Sequence, residues 1–200
     1  MVYIVGLGPG NKDYILPVAT QTMEKCDVIL GFSRAIESID HIKKEKMPLN
    51  SLNSILEYID KNKEKEISII ASGDPCFYGI TNYIKKNFNG EIRVIPGISS
   101  FQYFMSKLCK CWNGVHLGSL HGREEEFLTT IEEKGSGIFL TDKNNSPKKL
   151  CKLLYENNFE SKVYIGENLS YEDEQIFQGE PKEFINVEFN GISIIYIEKI

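Results

Sequence analysis

The chain has 200 residues, which is enough for one large domain or two small ones with a substantial hydrophobic core. Hydrophobic residues make up 42% and charged residues 26% of it, a balance typical of an ordinary soluble globular protein. The formal net charge of -5 argues against a general nucleic-acid binder, which would carry a basic surface, but it leaves room for a local basic cluster that binds anions.

The first half of the chain alternates short strand patterns with longer helical patterns. Apolar, β-branched runs predict strands at residues 2–5, 27–31, 67–72 and 92–97. Helical spacing of apolar residues predicts helices at residues 14–25, 51–63, 79–87 and 99–108. Strands that alternate with helices need crossover connections, so this half is predicted to form a mainly parallel sheet.

The second half is richer in strands. Strand patterns occupy residues 115–120, 137–141, 162–166, 174–179 and 191–197, and helical patterns interrupt them at residues 124–134 and 147–157. Because the connection between the last two strands is too short for a helical crossover, we predict that these two strands pair antiparallel. The predicted fold class is therefore α/β with two lobes, residues 1–111 with a mainly parallel sheet and residues 112–200 with a mixed sheet.

A glycine-rich loop, Gly6-Leu7-Gly8-Pro9-Gly10, follows the first predicted strand. The nicotinamide-dinucleotide fingerprint is G-x-G-x-x-G, with its third glycine inside the following helix. Here the glycines run G-x-G-x-G, and Pro9 lacks the amide donor that a phosphate cradle uses. The second strand also ends at Gly31 and not at an acidic residue that would bind a ribose. A nicotinamide-dependent oxidoreductase is therefore kept as an alternative.

Two further loops follow the third and fourth predicted strands, SGDPCFYG at residues 72–79 and PGISS at residues 96–100. The carboxyl ends of parallel strands meet at one edge, where open α/β sheets bind their ligands. Asp74 is a charged acceptor for hydroxyls or an ammonium group, and Ser99 and Ser100 place hydroxyls at a helix start. Taken singly, Asp74 is better explained as a turn initiator and Ser99 as a helix N-cap, but three such loops at one edge favour a ligand site.

These three loops, in this order and spacing, resemble those of the tetrapyrrole methyltransferases. The resemblance covers essentially the whole chain. It implies the two-lobed class III fold of methyltransferases that use S-adenosylmethionine, with this donor in a cleft between the lobes. Arg34 and three later segments resemble the branch that methylates C5 of a cobalt-precorrin in cobalamin (vitamin B12) synthesis. These segments are GSLHGR (residues 118–123), LTDKNNSP (residues 140–147) and GENLSYEDE (residues 166–174).

The resemblance implies site residues position by position. Contacts to S-adenosylmethionine are implied for Pro9, Ser72, Gly73, Asp74, Phe77, Ser99, Ser100, Leu140 and Leu169. The macrocycle carries several carboxylates, and arginine is scarce in this chain, so Arg34 and Arg123 are predicted to bind it. His121 is a candidate to donate to a carboxylate or to accept a ring proton, and an ordinary structural hydrogen bond is its other interpretation.

Other functions stay open on the sequence alone. The chain could be another member of the same superfamily, acting on a different ring carbon or on a protein side chain, or a non-catalytic binding module. Cys76 as a nucleophile lacks a histidine placed by sequence to activate it. Cys109-x-Cys111 lacks the second ligand pair that a metal site needs, so no metal is expected.

Cellular context and partners are predicted from the same residues and resemblance. The five cysteines form no CxxC pair or disulfide-like framework, which indicates reduced thiols in a cytoplasm. The first apolar run is too short to span a bilayer, and no basic segment precedes it, so no membrane association is expected. The resemblance implies a homodimer. It also implies a separate C15-methylating decarboxylase as a partner, since 200 residues leave no room for that second activity.

Overall fold

The computed structural model describes residues 1–122, 126–189 and 191–200. The chain divides into two compact units, Met1–Ser100 and Phe101–Ile200. The lobe boundary between residues 111 and 112 stays a prediction, and the helix that opens the second unit lies before it.

The first unit is a parallel five-stranded sheet in the order β3-β2-β4-β1-β5. Its strands are β1 (Val2–Gly6), β2 (Val28–Gly31), β3 (Glu45–Pro48), β4 (Ile67–Ala71) and β5 (Ile92–Ile95). Its helices are α1 (Pro17–Lys25), α2 (Ser33–Glu37), α3 (Leu52–Lys61) and α4 (Thr81–Asn87), and a 3-10 helix spans Lys12–Tyr14.

Helices cover both faces of this sheet, which is why its central strands are nearly continuous apolar runs. One face buries Ile4 and Ile69 against Ile55 of α3. The other buries Val5 and Ile70 in a cluster that includes α1. Because all five strands are parallel, the carboxyl ends of β2, β4, β1 and β5 lie along one edge of the sheet.

The 3-10 helix, α2 and β3 of the first unit were not predicted, and α1 begins three residues later than predicted. α2 has only five residues, and β3 is an edge strand without a buried side chain, so neither carries a periodic pattern. The helix predicted from residue 14 begins at Pro17, because Leu16 precedes a proline and is held extended, at φ -62 and ψ 140.

The second unit has a mixed five-stranded sheet in the order β6-β7-β10-β8-β9. Its strands are β6 (His116–Ser119), β7 (Ser136–Leu140), β8 (Ser161–Glu167), β9 (Gln175–Gly179) and β10 (Ser193–Lys199). Its helices are α5 (Ser100–Lys107), α6 (Phe127–Lys134) and α7 (Pro147–Glu156), and a 3-10 helix spans Pro181–Glu183. The predicted fold class, α/β with a parallel first sheet and a mixed second sheet, is confirmed.

The antiparallel pairing predicted between the last two strands is wrong. β8 lies between β9 and β10 and pairs antiparallel with both of them. The connection at residues 180–192 contains a 3-10 helix and the core residue Phe184, so it is long enough to cross a strand. Ile194–Ile197 of β10 are buried on both faces, which suits the centre of a sheet, whereas β9 is largely exposed and suits an edge.

The core of the second unit lies on one face of its sheet, where α6 and α7 pack. Ile131 and Leu154 from these helices contact a cluster that contains Phe139, Ile165 and Ile195. Over the described ranges of both units, no helix combines the length and the apolar character needed to cross a membrane.

Candidate functional site

The loops after β1 and β4 are joined by backbone hydrogen bonds. The Gly8 N–H donates to the Gly73 carbonyl at 3.2 Å, and the Gly73 N–H donates to the Gly8 carbonyl at 2.7 Å. One step earlier, the Leu7 N–H donates to the Ala71 carbonyl at 2.9 Å. The two loops are therefore joined by an antiparallel bridge just beyond the parallel pairing of their strands.

The loop after β5 packs against the same place, closely enough that glycine is required. A Cβ atom on Gly97 would lie 2.2 Å from the Gly73 carbonyl oxygen, and one on Gly6 would lie 2.6 Å from the Gly97 nitrogen. Real Cβ atoms do not approach backbone atoms so closely, so a side chain at either position would push the loops apart. The three glycine-containing loops that the sequence placed at one edge thus meet there.

Asp74 ties two of these loops together. Its Oδ1 accepts the Cys76 N–H at 2.7 Å, and its Oδ2 accepts the Gly97 N–H at 3.2 Å. Each carboxylate oxygen has a further lone pair, so Asp74 can still accept a hydrogen bond from a ligand. The sequence indicated this carboxylate as a ligand contact but gave no sign that it joins the loops after β4 and β5.

The other predicted residues of the first unit lie at the same edge. Pro9 and Ser99 are buried, Phe77 and Ser100 are half-buried, and Ser72 is exposed. Exposed Arg34 lies in the first turn of α2, directly after β2, whose carboxyl end is at this edge too. The Cys76 sulfur contacts the Thr81 hydroxyl at 3.7 Å, which is not a base that would activate a nucleophile.

In the second unit, β6, β7 and β8 run in the same direction, so their carboxyl ends form one edge. Leu140 ends β7, and buried Leu169 follows β8. His121 follows β6, and its Nδ1 lies 3.3 Å from the Thr141 carbonyl oxygen. Because a carbonyl oxygen can only accept, this contact places the imidazole proton on Nδ1 and leaves Nε2 as the acceptor of the neutral ring.

Asp142 organises the loops at this edge and was not assigned a role from the sequence. Its carboxylate accepts N–H groups from Gly122 at 2.7 Å, Asn145 at 2.7 Å and Asn144 at 2.8 Å. These hydrogen bonds, the one from Gly122 first, hold the pKa of Asp142 below its ordinary value. Arg123 follows Gly122 in the sequence and lies outside the described residues.

Asp142 should therefore make stability depend on pH. Its pKa is lower in the folded chain than its ordinary value of 3.8, so its contribution is present above that value and is lost as the pH falls through the folded pKa. We expect Asp142→Ala to lower Tm at about pH 7 and the gap from wild type to narrow below about pH 4. Thermal melts at both pH values test this, with Asp40→Ala, whose side chain is 88% exposed, as the control. A gap that stays constant with pH would contradict it.

A tight turn after β8 was also missed. Asn168 and Ser170 both have positive φ, 48° and 68°, and they flank Leu169. The Ser170 N–H donates to the Glu174 carboxylate at 2.6 Å. The segment GENLSYEDE does show acidic residues after a polar turn, but its spacing does not indicate that the Ser170 N–H is the group that donates to Glu174.

Within the described residues, no group of three or more histidine, cysteine, aspartate or glutamate side chains is arranged to hold a metal ion. The chemistry that these edges support is binding by backbone groups, hydroxyls and carboxylates. Such groups suit an organic ligand with hydroxyl and ammonium donors.

Comparison with known proteins identifies what the chain is similar to. The family model of the tetrapyrrole (corrin/porphyrin) methylases matches residues 1–185. A Methanocaldococcus jannaschii protein named "Probable cobalt-precorrin-7 C(5)-methyltransferase" is 35% identical over 209 aligned positions, covering 99% of this chain and 98% of that protein.

Solved structures share the fold. The cobalamin biosynthesis precorrin-6Y methylase of Archaeoglobus fulgidus has a TM-score of 0.79 at 24% identity, and the match covers 100% of this chain and 97% of that one. A uroporphyrin-III C-methyltransferase of Thermus thermophilus, in complex with S-adenosylhomocysteine, has a TM-score of 0.78 at 17% identity, covering 98% and 91%.

Proposed function

The chain belongs to the tetrapyrrole (corrin/porphyrin) methylases and is an S-adenosylmethionine-dependent methyltransferase, and from this premise we propose that it methylates C5 of cobalt-precorrin-7 in cobalamin biosynthesis. The observation that carries the proposal is the 35% identity, over nearly the full length of both chains, to a relative of that name. Membership of this family removes the case for a nicotinamide-dependent oxidoreductase.

The first-unit edge is suited to S-adenosylmethionine, whose ribose hydroxyls and ammonium group can donate hydrogen bonds. The loop backbones lie close together at Gly73 and Gly97, where glycine has no side chain that would cover the loops. The Asp74 carboxylate keeps lone pairs that can accept a hydrogen bond from the ligand. We propose that S-adenosylmethionine is contacted by Pro9, Ser72, Gly73, Asp74, Phe77, Ser99 and Ser100 and, from the second unit, by Leu140 and Leu169. The burial of Pro9, Ser99 and Leu169 supports fixed positions for these contacts.

The chemistry asks mainly for positioning. When bound, S-adenosylmethionine supplies a methyl group on a positively charged sulfur, with a good thioether leaving group. The residues of this chain must then hold the ring carbon and the methyl group about 3–3.5 Å apart, in line, and exclude water. His121 Nε2 is the ring atom that can accept the proton lost from the macrocycle, because Nδ1 donates to the Thr141 carbonyl.

Recognition of the macrocycle is proposed for Arg34, His121 and Arg123. An acidic protein that binds a polycarboxylate needs local cations, and the planar guanidinium group pairs with a carboxylate through two hydrogen bonds. Arg34 is exposed at the carboxyl edge of the first sheet, which supports this role for it.

Arg123→Ala is expected to weaken tetrapyrrole binding by about tenfold or more, because a charge-assisted pair with a carboxylate is lost. The affinity for S-adenosylmethionine should stay nearly unchanged. Calorimetric titration with each ligand measures both effects, and Arg93→Ala, whose exposed side chain pairs with Glu91, is the matched control. Equal losses for the two ligands would contradict this division of roles.

The proposed activity is tested by incubating the purified chain with cobalt-precorrin-7 and S-adenosylmethionine carrying a 13C methyl group. We expect one labelled methyl group on C5, located by NMR. Methylation at another ring carbon would move the chain to a different branch of the family. No transfer to cobalt-precorrin-7, with the donor bound, would overturn the proposed substrate.

Three further parts of the proposal rest on the resemblance and on composition. We propose a homodimer, which light scattering of the purified chain tests. We propose a separate C15-methylating decarboxylase as a partner, to be sought by co-purification. A cytoplasmic location is supported by five free cysteines, of which Cys26 and Cys151 are buried.

A further inference from the structure

The turn after β8 is held in a costly conformation. Asn168 and Ser170 have φ values of 48° and 68°, in a region that residues other than glycine rarely adopt. Asparagine adopts this region more readily than serine does, so the strain lies mainly at Ser170. Leu169, between them, is only 6% exposed. Contacts elsewhere must therefore compensate for the strain of the turn. Asn168 is held through its own side chain: its Nδ2 donates to the Asp173 carboxylate at 2.6 Å, and its Oδ1 accepts the Ile192 N–H at 3.3 Å.

Glu174 supplies the contact at Ser170 through its carboxylate. Its Oε2 accepts both the Ser170 N–H and the Tyr103 hydroxyl, each at 2.6 Å. Its Oε1 lies 3.1 Å from the Lys107 ammonium nitrogen. Tyr103 and Lys107 belong to α5, so this one side chain fastens the turn to a helix. The Glu174 side chain is 18% exposed, which limits competition from water.

The ionisation of these groups matches this arrangement. Partial burial alone would raise the pKa of Glu174, but hydrogen bonds from Tyr103, Ser170 and Lys107 together hold it below its ordinary value. Burial, followed by the hydrogen bond to Glu174, raises the pKa of Tyr103 to about 12. Glu174 is thus an acceptor and Tyr103 a donor throughout the neutral range.

Leu169 occupies its position by close packing. A Cβ atom on Gly166 would lie 2.7 Å from the Leu169 Cδ2 atom and 2.9 Å from Phe104 Cε2, so the Leu169 side chain and α5 lie directly on this glycine. If the turn relaxed, Leu169 would leave this position, since its backbone direction is set by its two strained neighbours.

We propose that Glu174 is a positioning residue for the methyl donor: it holds Ser170 in the strained turn that presents Leu169 to S-adenosylmethionine. The inference rests on the proposed function, in which Leu169 is a donor contact. Without Glu174 the binding-competent turn becomes a minor conformation. The apparent dissociation constant then rises in inverse proportion to its population.

The variants Glu174→Ala and Glu174→Gln separate hydrogen bonding from charge. In the glutamine variant one carbonyl oxygen can still accept both the Ser170 N–H and the Tyr103 hydroxyl, whereas alanine accepts neither. Glu156→Ala is the matched control, because Glu156 also pairs with a lysine of this unit, Lys152 at 3.7 Å, but on the exposed face of α7.

Titration calorimetry of the full chain with S-adenosylhomocysteine is the test. We expect Glu174→Ala to bind about tenfold or more weakly, and Glu174→Gln and Glu156→Ala to stay within about threefold of wild type. Methyl-transfer assays should show a raised KM for S-adenosylmethionine, with kcat at saturating donor changed by less than about threefold. If Glu174→Ala does not fold, Tyr103→Phe replaces it, with an expected weakening of about tenfold, because a hydrogen bond to a charged acceptor is lost. Affinity within about threefold of wild type in Tyr103→Phe would then overturn the proposal.

Unchanged affinity in Glu174→Ala, even with a lower Tm, would overturn the proposal and leave Glu174 a structural residue. Equal losses in the alanine and glutamine variants would also overturn it, since the hydrogen bonds to the turn would then not be the cause. A wild-type chain that binds S-adenosylhomocysteine but does not methylate cobalt-precorrin-7 would refute only the proposed substrate. The two failures are therefore distinguishable.

Discussion

Gly97→Ala is expected to reduce the rate of methyl transfer by about a hundredfold, the size of effect that a displacement of about 1 Å has at a reacting site. The new Cβ atom would lie 2.2 Å from the Gly73 carbonyl oxygen and 3.0 Å from the Gly6 backbone. Both neighbours are backbone atoms held by strand pairing, so no side chain can rotate away to make room. The loops after β1, β4 and β5 must then separate.

The same change should lower the free energy of unfolding by about 3 kcal/mol, the upper end of the usual cost of overpacking. Methyl-transfer kinetics and urea unfolding measure the two effects, and calorimetric titration measures binding of the methyl donor. Gly135→Ala is the control, because a Cβ atom at this C-cap of α6 would meet no other described atom within 4 Å and its cost is the positive φ of 76° alone. We expect about 1–2 kcal/mol there. If Gly97→Ala bound the donor as wild type does, the loops would not form a donor site.

Asp74→Ala is expected to weaken S-adenosylmethionine binding by about tenfold or more and to leave tetrapyrrole binding nearly unchanged. The carboxylate accepts N–H groups from Cys76 and Gly97, and each hydrogen bond to a charged acceptor contributes about 1.5–3 kcal/mol. Removing it frees the loop after β5 from the loop after β4. A ligand contact made by the remaining lone pairs would be lost as well.

Asp27→Ala is the matched control for Asp74. Its Oδ2 also accepts a backbone N–H, from Glu66 at 2.8 Å, but just before β4 begins, at the opposite edge of the same sheet. This variant should lose stability without losing donor affinity. Asp74→Asn is not expected to restore binding, because its NH2 group would face either the Cys76 or the Gly97 N–H. Unaltered donor affinity in Asp74→Ala would remove Asp74 from the site.

Local sequence was sufficient to predict the first-unit edge. The apolar runs of β1 and β4 are largely buried, and β5 is a half-buried edge strand. Each of the three strands is followed by a loop with glycine, so the parallel arrangement alone brings these loops to one edge. The distances between them were not predictable, because they depend on backbone atoms from three loops. The backbone partners of Asp74, the Cys76 and Gly97 N–H groups, were for the same reason not predictable.

The errors have a different cause, since they concern choices among distant partners. The connection at residues 180–192 is long enough either to place β10 beside β9 or to carry it past β8 to the far side. Its length alone therefore did not decide the pairing. The continuous apolar run at residues 194–197 was the stronger sequence signal for a central strand, since both faces of such a strand are buried. Similarly, the link between Glu174 and Tyr103 spans 71 residues, and no local pattern indicates it.

The central place of β10 affects how the protein is made. β7 and β8 are both completed well before residues 193–199 leave the ribosome, and neither is paired with the other. A nascent chain therefore carries two unpaired strand edges, which are templates for wrong association, until the strand between them is synthesised. The strands of the first sheet need nothing beyond residue 95, so during translation the strand edges of the second unit are the ones that stay unpaired longer.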